Sequence, residues 1–478
     1  MWIVELAVMA LLVICCTYFF TSLKNPKDPR LLPPGSMGFP FIGEILQLVI
    51  PSYSLDLHPF IKKRIQRYGP IFRTKIWGRA IVMSADPDFN NYIVQQEGKS
   101  VGMWIGPLSI FISAGNNVAE TMGSEYLHKY LRNMTLSQFG AESIRQKLLP
   151  QLEEKIGEVL NSWSNQESVE LKQANSVMSF QLFAKHLFGY DAEKLPEANR
   201  ITENLFSTFT DGKLLLPFNI PGTKYHEFLK EAKCLFKTIK NTVKERRTST
   251  ELYHGDFLDE AISDIGTDSI LTEDTVTSFT LGLTFASAVS ISSLMTLMFK
   301  FLSEYPSVME ELTAEHEEIL NRRAKSSSSL TWDEYKSMKF TQQVISEALR
   351  FSVLLPALFR IALKDIQIKG YTIPAGWIIM AVNPALHMNS TIFDDPLTFN
   401  PWRWKDLDSN TVSKFFRPFG MGIRQCPGAE LTRAFASTFL HVLVTKYRWE
   451  KIRGGEVVRT PILAFRDGFH IKVWKKGN

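Results

Sequence analysis

The sequence predicts a mostly helical fold with small β-sheets, and three observations support this. Its 478 residues are 45% hydrophobic and 12% aromatic, which provides enough apolar material for a large buried core. Apolar residues recur at helical spacing in six stretches, at 144–163, 223–246, 275–299, 306–321, 333–352 and 428–446. Strand-like alternation is confined to short segments. Since no Gly/Ser- or Pro-rich linker divides residues 60–478, we expect one large globular unit.

The chain begins with an apolar segment. Residues 2–21 carry Glu5 as their only charge and are long enough to cross a bilayer, for which roughly 20 residues suffice. Basic residues follow, namely Lys24, Lys27 and Arg30. A cleaved signal peptide would have basic residues first and a shorter apolar core, so this order predicts an uncleaved anchor with the protein body in the cytosol. Residues 22–44 then form a basic, proline-rich hinge, and 45–478 form the body.

Three segments have strand character. FRTKIWGRAIVMS, at 72–84, alternates around Gly78 and predicts a β-hairpin. Residues 365–379 predict further short strands. Near the C-terminus, Asp467-Gly468 predicts the turn of another hairpin.

The longest uncharged stretch runs from Thr275 to Phe299 and could, by length alone, be a second membrane span. It contains ten hydroxyl residues: Thr275, Thr277, Ser278, Thr280, Thr284, Ser287, Ser290, Ser292, Ser293 and Thr296. Such a segment is too polar to face lipid, whereas a helix without charge on any side suits the middle of a large protein. We therefore expect a buried core helix.

Charge and cysteine content exclude two classes of protein. The net charge of +5 comes without Lys/Arg blocks, so no nucleic-acid partner is expected, although an acidic partner or membrane surface would fit. Two of the four cysteines lie in the N-terminal apolar segment, and Cys234 and Cys426 are far apart. The chain therefore has no disulfide framework, which favours a reducing compartment.

The segment FRPFGMGIRQCPGAELTRAF, at 416–435, has the features of a ligand loop. Gly420 and Gly422 allow the backbone to approach a flat group closely, and Pro427 suits the first turn of the following helix. Cys426 would then lie at a helix N-terminus, where the dipole and free N–H groups stabilise a thiolate. A thiolate is a good soft ligand for iron. A lone cysteine is more often an inert core residue, so its neighbours decide between these interpretations.

Those neighbours resemble a known family. The pattern Phe419-x-x-Gly422-x-Arg424-x-Cys426-x-Gly428 matches the cysteine loop of the cytochrome P-450 haem-thiolate monooxygenases at every position. Two upstream segments match the family in the same order, Glu347-Ala348-Leu349-Arg350 and Phe399-Asn400-Pro401-Trp402-Arg403-Trp404. The resemblance covers essentially the whole chain. It implies a cytochrome P-450 fold with one N-terminal transmembrane helix, and haem b as the cofactor.

The resemblance also implies roles for individual residues. Cys426 would be the axial ligand of the haem iron, with Phe419 and Gly428 of the same loop also contacting the haem. Glu347, Arg350 and Arg403 would form a buried charge network that supports this loop. Haem propionates need cations, and the family positions imply contacts from His128, Arg132, Arg360 and Arg424.

The uncharged stretch aligns with the family helix on the oxygen side of the haem. Relatives have a small-Gly-x-acid-Thr pattern there, whereas this chain has Ala286-Ser287-Ala288-Val289-Ser290. Ser290 could still hydrogen-bond to bound oxygen, because a hydroxyl both donates and accepts. Val289 cannot transfer a proton, so water, Ser287 or a substrate hydroxyl would have to complete the proton path.

Four segments resemble the plant branch that oxidises brassinosteroids, sterols and triterpenoids: LPPGSMGFPFIGE, YGPIFRT, GYTIPAGW and FNPWRW. The resemblance implies an NADPH- and O2-dependent monooxygenase of the endoplasmic reticulum membrane that acts on a lipophilic triterpenoid or steroid. The expected pocket walls are apolar and lie at 104–112, 283–287, 353–359 and 462–465.

A separate NADPH-cytochrome reductase flavoprotein is the expected redox partner, since the chain has no complete flavin or nicotinamide motif. Basic residues near the cysteine loop would suit an acidic reductase: Lys414, Arg417, Arg424, Arg433 and Lys446. Two alternatives stay open because Val289 replaces the acid. One is a haem-thiolate isomerase or dehydratase that needs neither O2 nor reductase, and the other is a non-catalytic haem- or sterol-binding protein.

Overall fold

The computed structural model describes residues 31–106, 124–191, 219–249, 254–266, 271–323, 329–352, 357–459 and 463–477, together with Glu5, residues 9–14 and Cys16. Its helices, in chain order, are α1 Ile45–Leu48, α2 Pro59–Tyr68, α3 Pro87–Gln95, α4 Glu125–Phe139, α5 Ala141–Ser143, α6 Leu149–Ser164, α7 Leu171–Phe188, α8 Lys224–Thr248, α9 Phe257–Ser263, α10 Glu273–Glu304, α11 Pro306–Arg322, α12 Trp332–Ser337, α13 Lys339–Phe351, α14 Asn383–His387, α15 Ser409–Phe415 and α16 Ala429–Lys446. Its strands are β1 Ile71–Ile76, β2 Arg79–Ser84, β3 Val101–Met103, β4 Val169–Glu170, β5 Leu358–Ala362, β6 Ile366–Ile368, β7 Tyr371–Ile373, β8 Ile378–Ala381, β9 Tyr447–Arg459 and β10 Leu463–Lys475. The predicted class, mostly helical with small sheets, is confirmed.

The chain divides into two compact units, and the smaller comprises residues 1–52, 57–104 and 356–386. Its five-stranded sheet has the order β1-β2-β8-β5-β3. The hairpin predicted at 72–84 is confirmed, with Ile76 paired to Arg79 across the turn. Trp77 and Gly78 both have positive φ, at 49° and 73°, which matches the twist of a two-residue hairpin turn. The strands expected at 365–379 are also present, as β6, β7 and the start of β8.

The predicted hinge, 22–44, is described only from Leu31 onward, and that part packs against β1. The Arg73 N–H donates to the Pro34 carbonyl oxygen at 2.8 Å, and the Glu44 N–H donates to the Lys75 oxygen at 2.7 Å. Residues 31–44 are therefore part of the folded unit rather than a free connector. Most of the predicted anchor, 2–21, lies outside the described residues.

The larger unit comprises residues 53–56, 105–355 and 387–478, and it contains the long helices and the β4-β10-β9 sheet. The uncharged stretch forms α10, which is long and apolar enough to cross a membrane, but 67% of its most apolar segment is buried inside the protein. Thr272 caps its N-terminus by accepting the N–H of Thr275. The prediction of a core helix is confirmed.

Aromatic contacts hold α10 in the larger unit. The Phe299 ring lies 5.8 Å from that of Phe439 on α16 and 4.8 Å from that of Trp449 on β9, measured between centroids. Edge-to-face aromatic pairs of this kind add to the stabilisation that burial provides.

The predicted helices at 223–246, 306–321 and 428–446 are confirmed, while two others contain interruptions. Within 144–163, residues Ile144–Leu148 form a π-helical turn, since Pro150 in the next turn has no N–H to donate. Within 333–352, the helix is interrupted at Met338. The Glu315 carboxylate accepts the N–H groups of Phe340 and Thr341 and so caps the start of a new helix.

The predicted hairpin turn at Asp467-Gly468 is wrong. Strand β10 continues through both residues while pairing with β9, and the pairing register shifts between Arg466 and Phe469. Asp467 and Gly468 do adopt positive φ, at 58° and 69°, so their conformational preference is expressed as a bulge inside a strand.

Candidate functional site

The Glu347 carboxylate is the centre of a buried charge network in the larger unit. On α13, Arg350 donates from Nη2 to Glu347 Oε1 at 2.8 Å and from Nε to Oε2 at 3.1 Å. Arg403 donates from Nε to Oε1 at 3.1 Å, so the structure brings together all three predicted network residues. Trp404, which we did not predict, donates its indole N–H to Oε2 at 3.0 Å. Glu347 and Arg350 are 0% exposed, so their charges depend on these partners.

A histidine missed by the sequence analysis connects this network to the cysteine loop. Arg350 Nη1 donates to the His387 carbonyl oxygen at 3.1 Å, and His387 Nε2 accepts the backbone N–H of Arg417 at 3.0 Å. Burial, together with the nearby charges of Arg350 and Arg417, lowers the pKa of His387 to about 3. The imidazole is therefore neutral and able to accept. No spacing rule relates His387 to either partner, so the sequence alone does not identify it.

The cysteine loop is closed by backbone hydrogen bonds. The Cys426 N–H donates to the Phe419 carbonyl oxygen at 2.9 Å, and the Gln425 N–H donates to that of Gly422 at 3.1 Å. Gly420 and Gly422 have φ of 72° and 71°, a backbone conformation that favours glycine and explains why both occur here. The loop thus places Cys426 two residues before Gly428, the N-cap of α16.

The Cys426 thiol is exposed, yet burial is the largest influence on its pKa and raises it. The surrounding protein atoms therefore desolvate the thiol although the residue is accessible. The Gly428 backbone and the Arg132 charge lower the pKa, as expected at a helix N-terminus, but burial outweighs them. The helix N-terminus therefore stabilises the thiolate as predicted, but this effect is smaller than the effect of burial, and the pKa of Cys426 is raised.

Two predicted propionate contacts lie beside this loop. Arg132, on α4, donates from Nε to the Gln425 carbonyl oxygen at 3.3 Å, and Arg424 belongs to the 3-10 turn Gly422–Arg424. His128 lies one turn before Arg132 on the same helix. Arg132 and the cysteine loop therefore meet although they are far apart in sequence.

Arg360, the fourth predicted cation, has a partner in the smaller unit. It lies on β5 and forms an ion pair with Glu97, with 2.9 Å between Nη2 and Oε2, and it donates from Nη1 to the Phe359 carbonyl oxygen at 2.9 Å. Its side chain is 5% exposed. Glu97 is an electrostatic partner that the prediction of a propionate contact did not include.

Helix α10 is buried along most of its length and is accessible near its two ends and in its central part. In the central part, Gly282, Leu283, Ala286, Ser287, Val289 and Ser290 are accessible, share one side of the helix and are called the accessible stripe below. Ser290 Oγ donates to the Ala286 carbonyl oxygen at 2.5 Å, and Ser287 Oγ donates to that of Thr284 at 3.0 Å. Both predicted hydroxyls thus lie on the accessible side with lone pairs available.

The remaining predicted walls are mostly outside the described residues, which omit 107–123, 353–356 and 460–462. One expectation for the reductase surface is wrong. Arg417 is 7% exposed and donates to the Ser413 carbonyl oxygen at 3.2 Å, so it supports the loop instead of facing a partner. Arg433 has a similar structural position, with its guanidinium 5.8 Å from the Phe419 ring centroid.

These residues fit a haem. An accessible thiol near a helix N-terminus, a cation at the same loop and an accessible stripe on a largely buried helix are features that suit a flat, anionic, iron-containing group. Among the described residues, no cluster of three or more His, Cys, Asp or Glu side chains could hold a metal ion. A single thiolate supplied by the protein is the donor set of a haem-thiolate centre.

Comparison with known proteins agrees with this geometry. The family model described as Cytochrome P450 matches residues 33–467. The chain is 46% identical to the beta-amyrin 16-alpha-hydroxylase of Maesa lanceolata over 100% of both chains. It is 45% identical to the cucurbitadienol 11-hydroxylase of Siraitia grosvenorii, again over 100% of both.

The fold also matches a solved structure, that of a cyanobacterial cytochrome with bound retinoic acid. The TM-score is 0.80, with 24% sequence identity, and the match covers 94% of this chain and 100% of the other. At that identity the match establishes the fold alone.

Proposed function

The chain belongs to the cytochrome P450 family of monooxygenases, and from this we propose that it hydroxylates a triterpenoid or a steroid at the endoplasmic reticulum membrane. The observation that carries the proposal is full-length similarity, at 46% and 45% identity, to two plant hydroxylases named for triterpenoid substrates. Both matches run through the cysteine loop and the accessible stripe of α10, where cofactor and substrate would meet.

We assign the haem iron to Cys426 and the propionates to Arg132, Arg424 and His128, and we leave Arg360 with its partner Glu97 in the smaller unit. Phe419 and Gly428 complete the cofactor contacts from the cysteine loop. A haem held by these residues would supply the activation of O2, from which one oxygen atom enters the substrate and the other leaves as water with two electrons from NADPH. The protein holds the thiol at a fixed position through the Phe419 carbonyl bond, and it supports the loop through His387 and the Glu347 network.

The accessible stripe is the described part of the substrate wall. Leu283 and Ala286 present apolar surface, and Ser287 and Ser290 present hydroxyl oxygens whose protons already bond to backbone carbonyls. A wall with few polar groups suits a flat polycyclic hydrocarbon that carries one or two hydroxyls. Such a hydroxyl could donate to either serine.

Val289 is the specific feature that favours a second candidate. An apolar side chain at the family's acidic position weakens proton delivery on the oxygen side, and a haem-thiolate isomerase or dehydratase has no need for that delivery. The unaltered cysteine loop favours the monooxygenase, so the isomerase is kept as an outcome of the experiment below.

We further propose that residues 2–21 anchor the protein in the membrane and that a separate NADPH-dependent flavoprotein reductase supplies electrons. The anchor proposal rests on length, composition and the following basic residues. The reductase proposal rests on family membership and on basic groups near the cysteine loop. Arg417 no longer counts among these groups, because it is buried.

The test begins with the purified full-length chain reduced under carbon monoxide. We expect the Soret band of a haem-thiolate centre in the wild type, its loss in Cys426→Ser, and no change in Cys234→Ser, a matched control because Cys234 is exposed on α8. Reductase, NADPH and a triterpenoid panel are then added. NADPH-dependent hydroxylation supports the proposal, conversion without NADPH supports the isomerase, and absence of the thiolate band would contradict both.

A further inference from the structure

Helix α11 carries three polar residues that bond to other elements of the larger unit. Glu311 and Glu315 lie one turn apart, His316 follows directly, and they are called the three α11 residues below. Glu311 and Glu315 bond to the two segments that carry the Glu347 network. His316 bonds to one of these segments and to α16. Helix α11 is therefore bonded to three elements that surround the cysteine loop.

Glu315 caps the helix that carries Glu347. Its Oε1 accepts the Phe340 N–H at 2.7 Å, and its Oε2 accepts the N–H and the hydroxyl of Thr341 at 2.9 Å and 2.5 Å. Met338, the N-cap of α13, makes no side-chain cap bond, so Glu315 satisfies N–H groups that a helix leaves without an internal partner. The helix dipole also favours a carboxylate at this end. The start of α13 is thus fixed to α11, two turns before Glu347.

Glu311 holds the other segment of the network. The Trp402 indole N–H donates to Glu311 Oε2 at 2.6 Å. Trp402 belongs to the same 3-10 turn as Arg403 and Trp404, which both donate to the central carboxylate of the network. The two segments also touch, with 5.6 Å between the ring centroids of Trp402 and Phe340. Two carboxylates one turn apart on α11 thus fix both segments side by side.

His316 extends the contacts of α11 to α16. Its Nε2 lies 3.1 Å from Thr341 Oγ1, and its Nδ1 lies 3.0 Å from His441 Nδ1. The Thr341 hydroxyl gives its proton to Glu315, so it accepts from His316 Nε2–H. Because burial lowers the pKa of His316 to about 3, the imidazole is neutral and its Nδ1 accepts from His441 Nδ1–H. The hydrogen bonds therefore run in one direction, from α16 through α11 to α13 and back to Glu315.

We propose that Glu311, Glu315 and His316 are positioning residues that fix the cysteine loop relative to its supports, and so keep the Cys426 thiolate on the haem iron. This inference rests on the proposed haem-thiolate function. The three residues touch neither the thiol nor any of the assigned propionate contacts. They act through α13, through the 3-10 turn Pro401–Lys405 and through α16.

These contacts reach the cysteine loop from both of its ends. On the N-terminal side, the network bonds to His387, whose imidazole accepts the N–H of Arg417. On the C-terminal side, Gly428 is the N-cap of α16, the helix that carries His441. Cys426 lies between these two ends. A displacement of α11 would therefore change the separation of the points that hold the ligand loop.

The two carboxylates differ in how many of their oxygens these bonds use. Glu315 uses both oxygens for three bonds, whereas the bond from Trp402 uses one oxygen of Glu311, whose side chain is 42% exposed. Glutamine has one acceptor oxygen and an NH2 group in place of the other. Glu315→Gln therefore sets a donor against a donor at the start of α13, while Glu311→Gln can keep its bond.

The first test uses the purified full-length protein, reduced under carbon monoxide, and measures the fraction of haem that gives the thiolate-type Soret band. We expect Glu315→Gln to lower this fraction and to raise the rate of haem transfer to an apoprotein acceptor several-fold. Thr341→Val removes the hydroxyl between Glu315 and His316 but keeps the backbone cap. It should act in the same direction, and it serves if Glu315→Gln does not fold. Thr341→Ser keeps a hydroxyl and should retain both wild-type values.

Asp256→Asn is the matched control for a general loss of stability. It breaks the ion pair of Asp256 with Arg246, whose side chains are 7% and 5% exposed and lie at α9 and α8. This variant should unfold at a lower denaturant concentration than wild type and still keep the full thiolate band. Glu318→Gln, on the exposed side of α11, should leave both quantities unchanged. Equal loss of the band in Asp256→Asn and Glu315→Gln, at equal loss of stability, would overturn the positioning role.

A double-mutant cycle tests the bond between Glu311 and Trp402. Glu311→Ala and Trp402→Phe each remove one partner of this bond. If the bond positions the network, the double variant should raise the haem-transfer rate by clearly less than the product of the two single effects. Independent effects of the two changes would remove Glu311 from the proposal.

Nitrogen NMR of histidine-labelled protein tests the direction of the hydrogen bonds without any reference to the haem. We expect a protonated Nε2 in His316 and a protonated Nδ1 in His441. His316→Gln and His441→Gln assign the two signals. Protonation of the opposite nitrogens would refute the link through His316.

The outcomes separate this inference from the proposed function. A wild type with the thiolate band, together with Glu315→Gln and Thr341→Val variants that keep it in full, refutes the positioning role alone. A wild type without the band refutes the haem-thiolate function and the positioning role together.

Discussion

The imidazole of His387 accepts a hydrogen bond from the backbone N–H of Arg417, with 3.0 Å between Nε2 and N. The carbonyl oxygen of the same histidine accepts from Arg350, so one residue connects the Glu347 network to the cysteine loop. This gives the network a physical route to the loop, since Arg417 lies nine residues before Cys426 in the same segment.

Replacing His387 with alanine should therefore weaken both stability and haem retention. The buried N–H of Arg417 would lose its acceptor, at a cost of about 1–3 kcal/mol in the free energy of unfolding. Chemical unfolding and the haem-to-protein absorbance ratio measure the two effects. His254→Ala is the control, since His254 is exposed, and it should stay within about 0.5 kcal/mol of wild type. An unchanged haem ratio in His387→Ala would show that the connection does not support the loop.

Glu347→Gln should be strongly destabilising. It removes the negative charge that Arg350 and Arg403 share, and breaking a buried ion pair from one side costs about 3–5 kcal/mol. Glu318→Gln is the matched control: its pair with Arg322 also lies within one helix, but the side chains are 62% and 74% exposed, so the expected loss is below about 1 kcal/mol. Equal losses in the two variants, measured by chemical unfolding, would be evidence against the buried network.

Stability should fall as the pH is lowered below about 6.5, the pKa of histidine in an unfolded chain. His316 and His441 face each other with 3.0 Å between their Nδ1 atoms, and burial lowers their pKa values to about 3 and about 4. Between these values and 6.5 the unfolded chain binds protons that the folded protein does not. Each histidine then contributes a loss of up to about 1.4 kcal/mol per pH unit.

Chemical unfolding at a series of pH values tests this dependence. Replacing both His316 and His441 with glutamine should reduce the slope of the unfolding free energy against pH by the contribution of these two groups. The control His254→Gln should leave this slope unchanged. A slope that is the same in the double variant and in wild type would assign the acid sensitivity to other groups.

Ser290→Ala should lower the product formed per NADPH consumed. The variant removes a hydroxyl whose lone pairs lie on the accessible side of α10, while it leaves the helix backbone bonds in place. Ser293→Ala is the control, because Ser293 donates to the Val289 carbonyl oxygen in the same way but is 3% exposed. If the Ser290 variant retains full coupling, this hydroxyl has no part in oxygen chemistry.

The cysteine loop could be predicted because it is defined by spacing within a short segment. The charge network could be predicted only through the resemblance to a known family, because Glu347 and Arg403 lie far apart in sequence. The Gly420 and Gly422 conformations and the cap at Gly428 depend on local sequence alone. The resemblance to a known family implied a propionate contact for Arg132, and the structure places this side chain against the loop although the two lie far apart in sequence.

His387 could not be predicted in this way. Its role depends on contacts between separate elements, and nothing in the residues beside it indicates a partner. The prediction of a hairpin turn at Asp467-Gly468 failed for a related reason. Both residues do adopt positive φ, but β10 continues to pair with β9 beyond them. For Arg360, the resemblance implied a propionate contact but did not indicate the ion pair with Glu97.

Most hydroxyls of α10 bond to carbonyls of their own helix, from Thr277 near its start to Thr296 near its end, whereas the buried Ser278 Oγ has no partner within the described residues. Because these bonds lie inside one element, a change on a neighbouring helix leaves them in place. Evolution can therefore remodel what surrounds this helix at small cost in stability. We expect this wall to be where related hydroxylases diverge in the ring position that they oxidise, while the cysteine loop stays constant.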